Sequence, residues 1–554
     1  MKSKLLFIAF VLFSSMGYSQ LVEVSGKVID SKTNTPLVGV NVEIQNTSQF
    51  LITDVDGNFK FSKVPSGSKL IFSFIGYKNY EFKANKSQKV TIEMQASSEA
   101  LDEIVVVGYG SKKKRNVTGS VSVVSSKTID ELKPINATQA LQGTVAGVVV
   151  TSDSGAPGSK FNIRIRGISS NSSNAPYTLI DGYEGDISLL NPSDIESVTV
   201  LKDAQASVYG SKGANGVILV TTKMGKKNTK AKVSFNSYFG YQETTKKIRV
   251  LDATEYALLL NESYGNGGQA LPYPIVTGLG KGTDWQDAIF NNNAQRVGHE
   301  ISLSGGNDKS TFYLSFGTQD QQGIVATEIS NFKKQNIRLN ATHKISKVFT
   351  LGQTLGYTHA KSIGIGNTNS EFGGPLSSAI NLDPITQLVI TDPLVAAGAP
   401  YSVNPVIRDR NGNPYGISNI VGQEMTNPLA YIQTRLGQYN WSDDMIGNAF
   451  LEANITNDIK FKTTIGGKLA FWGYQGFTPV NFLSATNSLL KNNYSKSNNN
   501  TLNWNVENTI TYNKKVNDHS FSVLLGQGAY MENNGGGSSV AMLDLPINSY
   551  KDAS

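Results

Sequence analysis

From residue 232 onward the chain is written in long stretches where apolar and small polar residues alternate one for one. Val233, Phe235, Phe239 and Tyr241 fall on one face of an extended strand, and Ser234, Asn236, Tyr238 and Gly240 on the other, because strand side chains alternate with period two. The split recurs in Phe312, Leu314 and Phe316 against Thr311, Tyr313 and Ser315. It recurs again in Phe349, Leu351, Leu355 and Tyr357 against Thr350, Gly352, Thr354 and Gly356. Strands of soluble sheets average about 5–6 residues. These run near 232–242, 297–305, 311–319, 331–343, 347–358, 443–455, 459–472, 501–512 and 519–530. One apolar face, one small polar face and such length predict a lipid-facing, water-lined barrel. The connections are alternately long and short, as expected of a barrel with long loops on one side of a membrane and tight turns on the other.

The N-terminus says how such a chain reaches a membrane. Lys2 and Lys4 precede the apolar run Leu5 to Phe13, and the small residues Gly17 and Ser19 predict signal cleavage between Ser19 and Gln20. Nine apolar residues cannot cross a hydrocarbon core that needs about 20. No Cys follows for a lipid anchor, and no later stretch is a candidate membrane helix. Composition removes further classes. The absence of Cys excludes disulfide scaffolds, thiolate metal sites and Cys nucleophiles. His299, His343, His359 and His519 form no ligand pair. A net charge of +7 without a clustered basic face argues against nucleic acid.

Three segments lie between signal and barrel. In residues 22–95, Val22, Val24 and Val28, then Val40, Val42 and Ile44, then Phe59 and Phe61, and finally Leu70, Phe72 and Phe74 mark short alternating strands separated by Pro, Gly and Asp turns. That spacing predicts a small β-sandwich of about seven strands. Asp54-Val-Asp-Gly57 reads as a plain turn, because a calcium loop would need an acid at Ile52. Residues 96–115 form a linker holding Asp102, Glu103, Ile104, Val105, Val106, Val107, Gly108, Tyr109 and Gly110, followed by the basic run Lys112 to Arg115. A Val-rich run is ordinarily a buried strand. Between two domains and beside four positive charges, it suits strand addition to a partner's sheet. Residues 116–225 alternate apolar strands and short helices, with Asn191 capping a turn that starts at Pro192 and Asp203 placed to cap a short helix ending at Gly210. Gly210 to Gly216 lacks phosphate-loop spacing and reads as a tight turn. Arg164 and Arg166 should share one strand face, placed for a salt bridge to a surrounding wall or for a gating contact.

These blocks resemble known ones. Residues 25–30, 35–42 and 53–59 resemble a carboxypeptidase-regulatory-like domain, and 102–110 resembles the TonB box of SusC-type outer-membrane transporters. Residues 141–150, 164–167, 176–182, 191–198, 200–203 and 214–222 look like the plug of TonB-dependent receptors, in the family's order. Thr283 to Asp287 with Ile301 to Gly306 is similar to the start of a SusC-type barrel. The fold class so implied is mainly β: a small sandwich, an α+β plug, and part of an antiparallel transmembrane barrel, about nine of 22 strands. A full chain with such a barrel needs about 960 residues, so residues 232–554 are expected to be the barrel's N-terminal part. The resemblance implies no enzyme chemistry and no cofactor. It implies outer-membrane residence with the first domain and box in the periplasm. It also implies TonB–ExbB–ExbD as energy source, a SusD-like surface lipoprotein as partner, and import of a glycan oligosaccharide or a peptide. A siderophore or cobalamin receptor, a binding-only receptor or adhesin, and an exported hydrolase are the rival readings. The box argues against a passive receptor. The want of a metal-ligand pair, Cys or G-x-S-x-G argues against the hydrolase.

Overall fold

The computed structural model describes residues 21–549 and 551, apart from 32, 46, 48, 75–76, 96–103, 108–109, 114–120, 170, 172, 367–373, 423–424 and 518. The signal segment and its cleavage residues Ser19 and Gln20 lie outside the described residues. The chain divides into two compact units, residues 1–119 and 120–554.

The first unit is a sandwich of seven strands. Strands β1 (Leu21–Asp30), β4 (Asn58–Pro65) and β7 (Gln88–Met94) form one sheet in the order β4-β1-β7. Strands β2 (Asn41–Ile44), β3 (Phe50–Ile52), β5 (Ser68–Ser73) and β6 (Tyr80–Ala84) form the other in the order β3-β2-β5-β6. The inward residues are those the alternation marks: Val24, Val28, Val40, Val42, Ile44, Leu70 and Phe72 are fully buried, and Phe59 stacks edge-on against Phe72 at 5.1 Å. Gly26 lets β1 approach β7 closely: a Cβ there would sit 1.8 Å from the Val90 carbonyl oxygen. The Asp54 turn is closed by its own carboxylate, whose Oδ1 accepts from the backbone of Asp56 (2.9 Å) and Asn58 (2.8 Å). Because this core uses residues of 22–95 alone, a fragment of that span should fold by itself. Dispersed proton NMR signals and a β-type circular dichroism spectrum are expected; an unfolded spectrum would refute the boundary.

The linker holds a hairpin, β8 (Ile104–Val107) with β9 (Gly110–Lys113), in the register Ile104↔Lys113 to Val107↔Gly110.

In the second unit the plug comes first. Strands β10 (Val121–Ser125), β13 (Tyr177–Ile180), β14 (Tyr183–Glu184), β15 (Ile195–Leu201) and β16 (Val217–Thr222) build a sheet in the order β10-β15-β16-β13-β14. Strands β11 (Val148–Ser152) and β12 (Phe161–Ile165) pair beside it. Helix α1 (Ser126–Leu132) is capped by the Ser125 hydroxyl. Asn191 caps the 3-10 turn Pro192–Asp194 as expected. Asp203, however, caps nothing. It opens a 3-10 run, Asp203–Gly213, that kinks at Gly210 and continues, and its own side chain is drawn to Arg166 instead.

Around the plug curves an antiparallel wall: β17 (Thr229–Gln242), β18 (Ala294–Gly306), β19 (Ser310–Gln322), β20 (Asn331–Lys344), β21 (Phe349–Ile363), β22 (Tyr439–Asn454) and β23 (Ile459–Thr478). A small hairpin of β24 (Asn481–Phe482) and β25 (Ser488–Leu489) follows, then β26 (Asn493–Val516), β27 (His519–Met531) and β28 (Gly535–Leu543). The sequence reading of nine wall strands missed β28. Its Gly-Gly-Gly-Ser-Ser start has no alternation to read, yet β28 pairs with Asn493–Thr501 of β26 while β27 pairs with Trp504–Val516. The two lie end to end, so ten strands make a wall nine positions wide. Tight turns at 307–309, 345–348 and 455–458 lie at one rim and the long connections at the other. Two of these, 243–293 and 364–438, carry α2 (Ala253–Asn266), α3 (Trp285–Ile289), α4 (Pro375–Asn381), α5 (Pro393–Ala396) and α6 (Pro428–Thr434). They share a core of Trp285, Ile289, Leu382, Met425 and Ile432. The Trp285 indole donates to the Asp383 carbonyl at 2.9 Å.

Candidate functional site

The plug's attachment to the wall starts from one strand. In β20 the odd residues Lys333, Gln335, Ile337 and Leu339 point outward, and the even residues Lys334, Asn336, Arg338 and Asn340 point to the lumen. All four even residues are buried, Arg338 at 3% exposure and Asn340 at 0%. Each donates to the plug. Lys334 Nζ reaches the Ser188 and Leu190 carbonyls at 3.2 and 3.3 Å. Asn336 reaches the Leu189 carbonyl at 2.7 Å. Asn340 reaches the Thr222 hydroxyl at 2.7 Å and the Lys223 carbonyl at 2.8 Å.

Arg338 stands between two plug carboxylates, with Nη1 3.3 Å from Asp181 Oδ2 and Nε 4.0 Å from Asp194 Oδ2. Local sequence explains both acids. Asp181-Gly182 turns β13 into β14 with positive φ at both residues (50° and 91°), the Asp-Gly preference of a tight hairpin. Asp194 closes the turn begun by Asn191-Pro192. The Asp181 carboxylate also accepts from Thr222 N–H (2.8 Å) and hydroxyl (2.7 Å). Asp194 Oδ1 accepts from Tyr313 (2.8 Å) and Ser315 (2.5 Å) of β19. Ser193 bonds Glu300 of β18, and Asn448 of β22 donates to the Asp181 carbonyl at 2.7 Å. Burial pushes the Asp181 carboxyl above its usual range, with Arg338 and Thr222 pulling it back down.

This contact is mostly polar. Of the wall's apolar side chains, Ile446 alone joins the buried plug core among the described residues. Most of the rest is hydrogen bonds and charge, groups that water can also satisfy, with the rings of Phe332 of β20 and Tyr183 of the plug packed against Gly158 and Gly466. Close approach is arranged by glycine: a Cβ at Gly466 of β23 would lie 2.4 Å from the Tyr183 ring. A second, more exposed tie joins Lys212 to Glu184 of the plug (3.0 Å) and Glu532 of the wall.

The arginines singled out from sequence lie elsewhere. Arg164 is exposed on β12, and Arg166 pairs with Asp203 inside the plug at 2.5 Å, both side chains about half exposed. Neither bridges to the wall among the described residues. The shared-face argument fails because β12 ends at Ile165 and Arg166 adopts φ 59°, which breaks the period of two. The contact to the wall is made by Arg338 instead, and no sequence signal singles it out: it is one of several polar residues in the lumen register of a strand whose other face is itself mixed, with Lys333 and Gln335 beside Ile337 and Leu339. For the box, Asp102, Glu103, Gly108 and Tyr109 lie outside the described residues. Ile104, Val105, Val106, Val107 and Gly110 belong to the β8–β9 hairpin, so the backbone there is paired on one side rather than lone and extended.

Residues 113–217 match the TonB-dependent Receptor Plug Domain, and residues 24–106 match the CarboxypepD_reg-like domain. The chain is 34% identical over 489 residues to TonB-dependent receptor SusC of Bacteroides thetaiotaomicron, covering 85% of this chain and 46% of that protein. It is 32% identical over 529 residues to TonB-dependent receptor P3 of Formosa agariphila, covering 94% and 49%. The chain thus spans about half the length of the curated relatives it matches. In fold it is similar to the RagAB peptide importer in its open-open state, with a TM-score of 0.66 and 24% identity over 81% of this chain and 51% of that one.

Proposed function

This chain is a SusC-type TonB-dependent receptor over the length it spans, and from that premise we propose that the protein imports a large nutrient through the outer membrane. A wall whose lumen is filled by a plug held through polar contacts carries this reading: the lumen is closed at rest and opens when the plug is displaced. The substrate is a glycan oligosaccharide or a peptide. SusC-type kinship favours the first, and the likeness in fold to a peptide importer keeps the second. A siderophore or cobalamin is the alternative cargo. Residues 102–110 act as the coupling peptide gripped by TonB, powered through ExbB–ExbD. A SusD-like lipoprotein caps the surface side, where the folded loops 243–293 and 364–438 offer a formed platform. The first domain and the box then lie in the periplasm. Substrate must contact the closed and open states unequally for its arrival to shift the plug. The test is uptake of labelled oligosaccharides and peptides by cells carrying the protein with a closed barrel. Uptake of one class should vanish on deletion of TonB while surface binding persists; uptake indifferent to TonB would overturn the assignment.

A further inference from the structure

Two strand edges of the first unit have no partner among the described residues and carry neither charge nor proline, and they suit each other. Strand β3 ends its sheet. Ile44 N–H donates to the Gln49 carbonyl at 3.1 Å and Thr53 N–H to the Val40 carbonyl at 3.0 Å. By the alternation of an antiparallel ladder, the backbone groups of Phe50 and Ile52 therefore face away from β2, and no hydrogen-bond partner is found for them among the described residues. Their side chains are 67% and 62% exposed. The other three edges are guarded by charge or proline: Lys60, Lys63 and Pro65 on β4, Glu81 and Lys83 on β6, Lys89 and Glu93 on β7. Phe-Leu-Ile carries neither and is blunted only by its three-residue length, and an exposed apolar edge is one that proteins otherwise guard.

The second edge is that of β8. A two-residue connection makes Val107↔Gly110 the closing, hydrogen-bonded pair, so Ile104 and Val106 present their backbone groups away from β9. This edge too carries no charge. We propose that β3 is the dock for β8, giving one sheet in the order β9-β8-β3-β2-β5-β6. The linker 95–103 spans about 30 Å when extended, against a radius of gyration of about 11 Å for a domain of this size, so β8 can reach the far edge. Docking satisfies both edges at once and hides the strand that a partner's sheet would capture. The consequence for coupling rests on reading 102–110 as the coupling peptide; the docking itself does not.

The experiment compares backbone amide exchange in fragments 21–95 and 21–119, since the sandwich core is complete within both. Exchange of Phe50 and Ile52 should be at least tenfold slower in the longer fragment and return to the faster rate in its Val106→Pro variant. The chain has no Cys, so a double variant Ile52→Cys with Val106→Cys should also form an intramolecular disulfide on oxidation, as should the paired control Lys69→Cys with Lys83→Cys. Equal exchange rates would overturn the proposal. So would a disulfide that forms only between chains, or protection that grows with concentration, either of which assigns the edge to a second copy. Failure here leaves TonB-dependent uptake intact, so the two readings fall separately.

Discussion

Replacing Arg338 with Met in a receptor with a closed barrel should loosen the plug and let large solutes leak through the outer membrane without TonB. The guanidinium is 4% exposed and sits between Asp181 and Asp194, themselves 11% and 2% exposed. Its loss leaves buried carboxylates without a cation, which costs about 3–5 kcal/mol in comparable sites, or about 10²- to 4 × 10³-fold in the population of a displaced plug. Sensitivity to a bulky antibiotic and protease cleavage within residues 120–225 would report it. The variant should also depend on pH in a set direction. Burial already raises the Asp181 carboxyl above its ordinary value, and removing the cation raises it further. The stability that the protonated form contributes is present at low pH and lost as pH rises through that raised value. The leak should therefore be worst at neutral pH and partly repaired in mild acid. A variant as tight as the parent at pH 7 would show that Arg338 is not what holds the plug.

Val106→Pro should abolish uptake while leaving substrate binding at the cell surface unchanged. Val106 lies on the free side of β8, and proline removes the donor that a captured strand must offer. Val105→Pro strikes the β9 side and should disrupt the hairpin as well. Both should lose transport, but only Val105→Pro should alter the exchange of the β9 amides. Normal uptake by the Val106 variant would end the role given to 102–110. Neither residue belongs to the plug or wall, so a general failure to assemble is not expected.

Alternation carried much of this in the sequence. Val24, Val28, Val40, Val42 and Phe72 were readable as a sandwich core, and Phe235, Leu314 and Leu355 as an outward apolar face, because a strand's period of two converts directly into sides. Where the period breaks, reading fails. Arg166 leaves its strand at a positive φ, and Gly535 to Ser539 has no apolar member to mark a face, so one was placed wrongly and the other was missed. The lock itself could not be read at all. Arg338, Asp181 and Asp194 are far apart in the chain, and any lumen-facing cation of a wall strand would look the same in a line of letters. Which cation meets which carboxylate follows from the register of β19 and β20 and from the depth at which the plug sits. Those are set by the packing of many residues together, and only the folded chain resolves them.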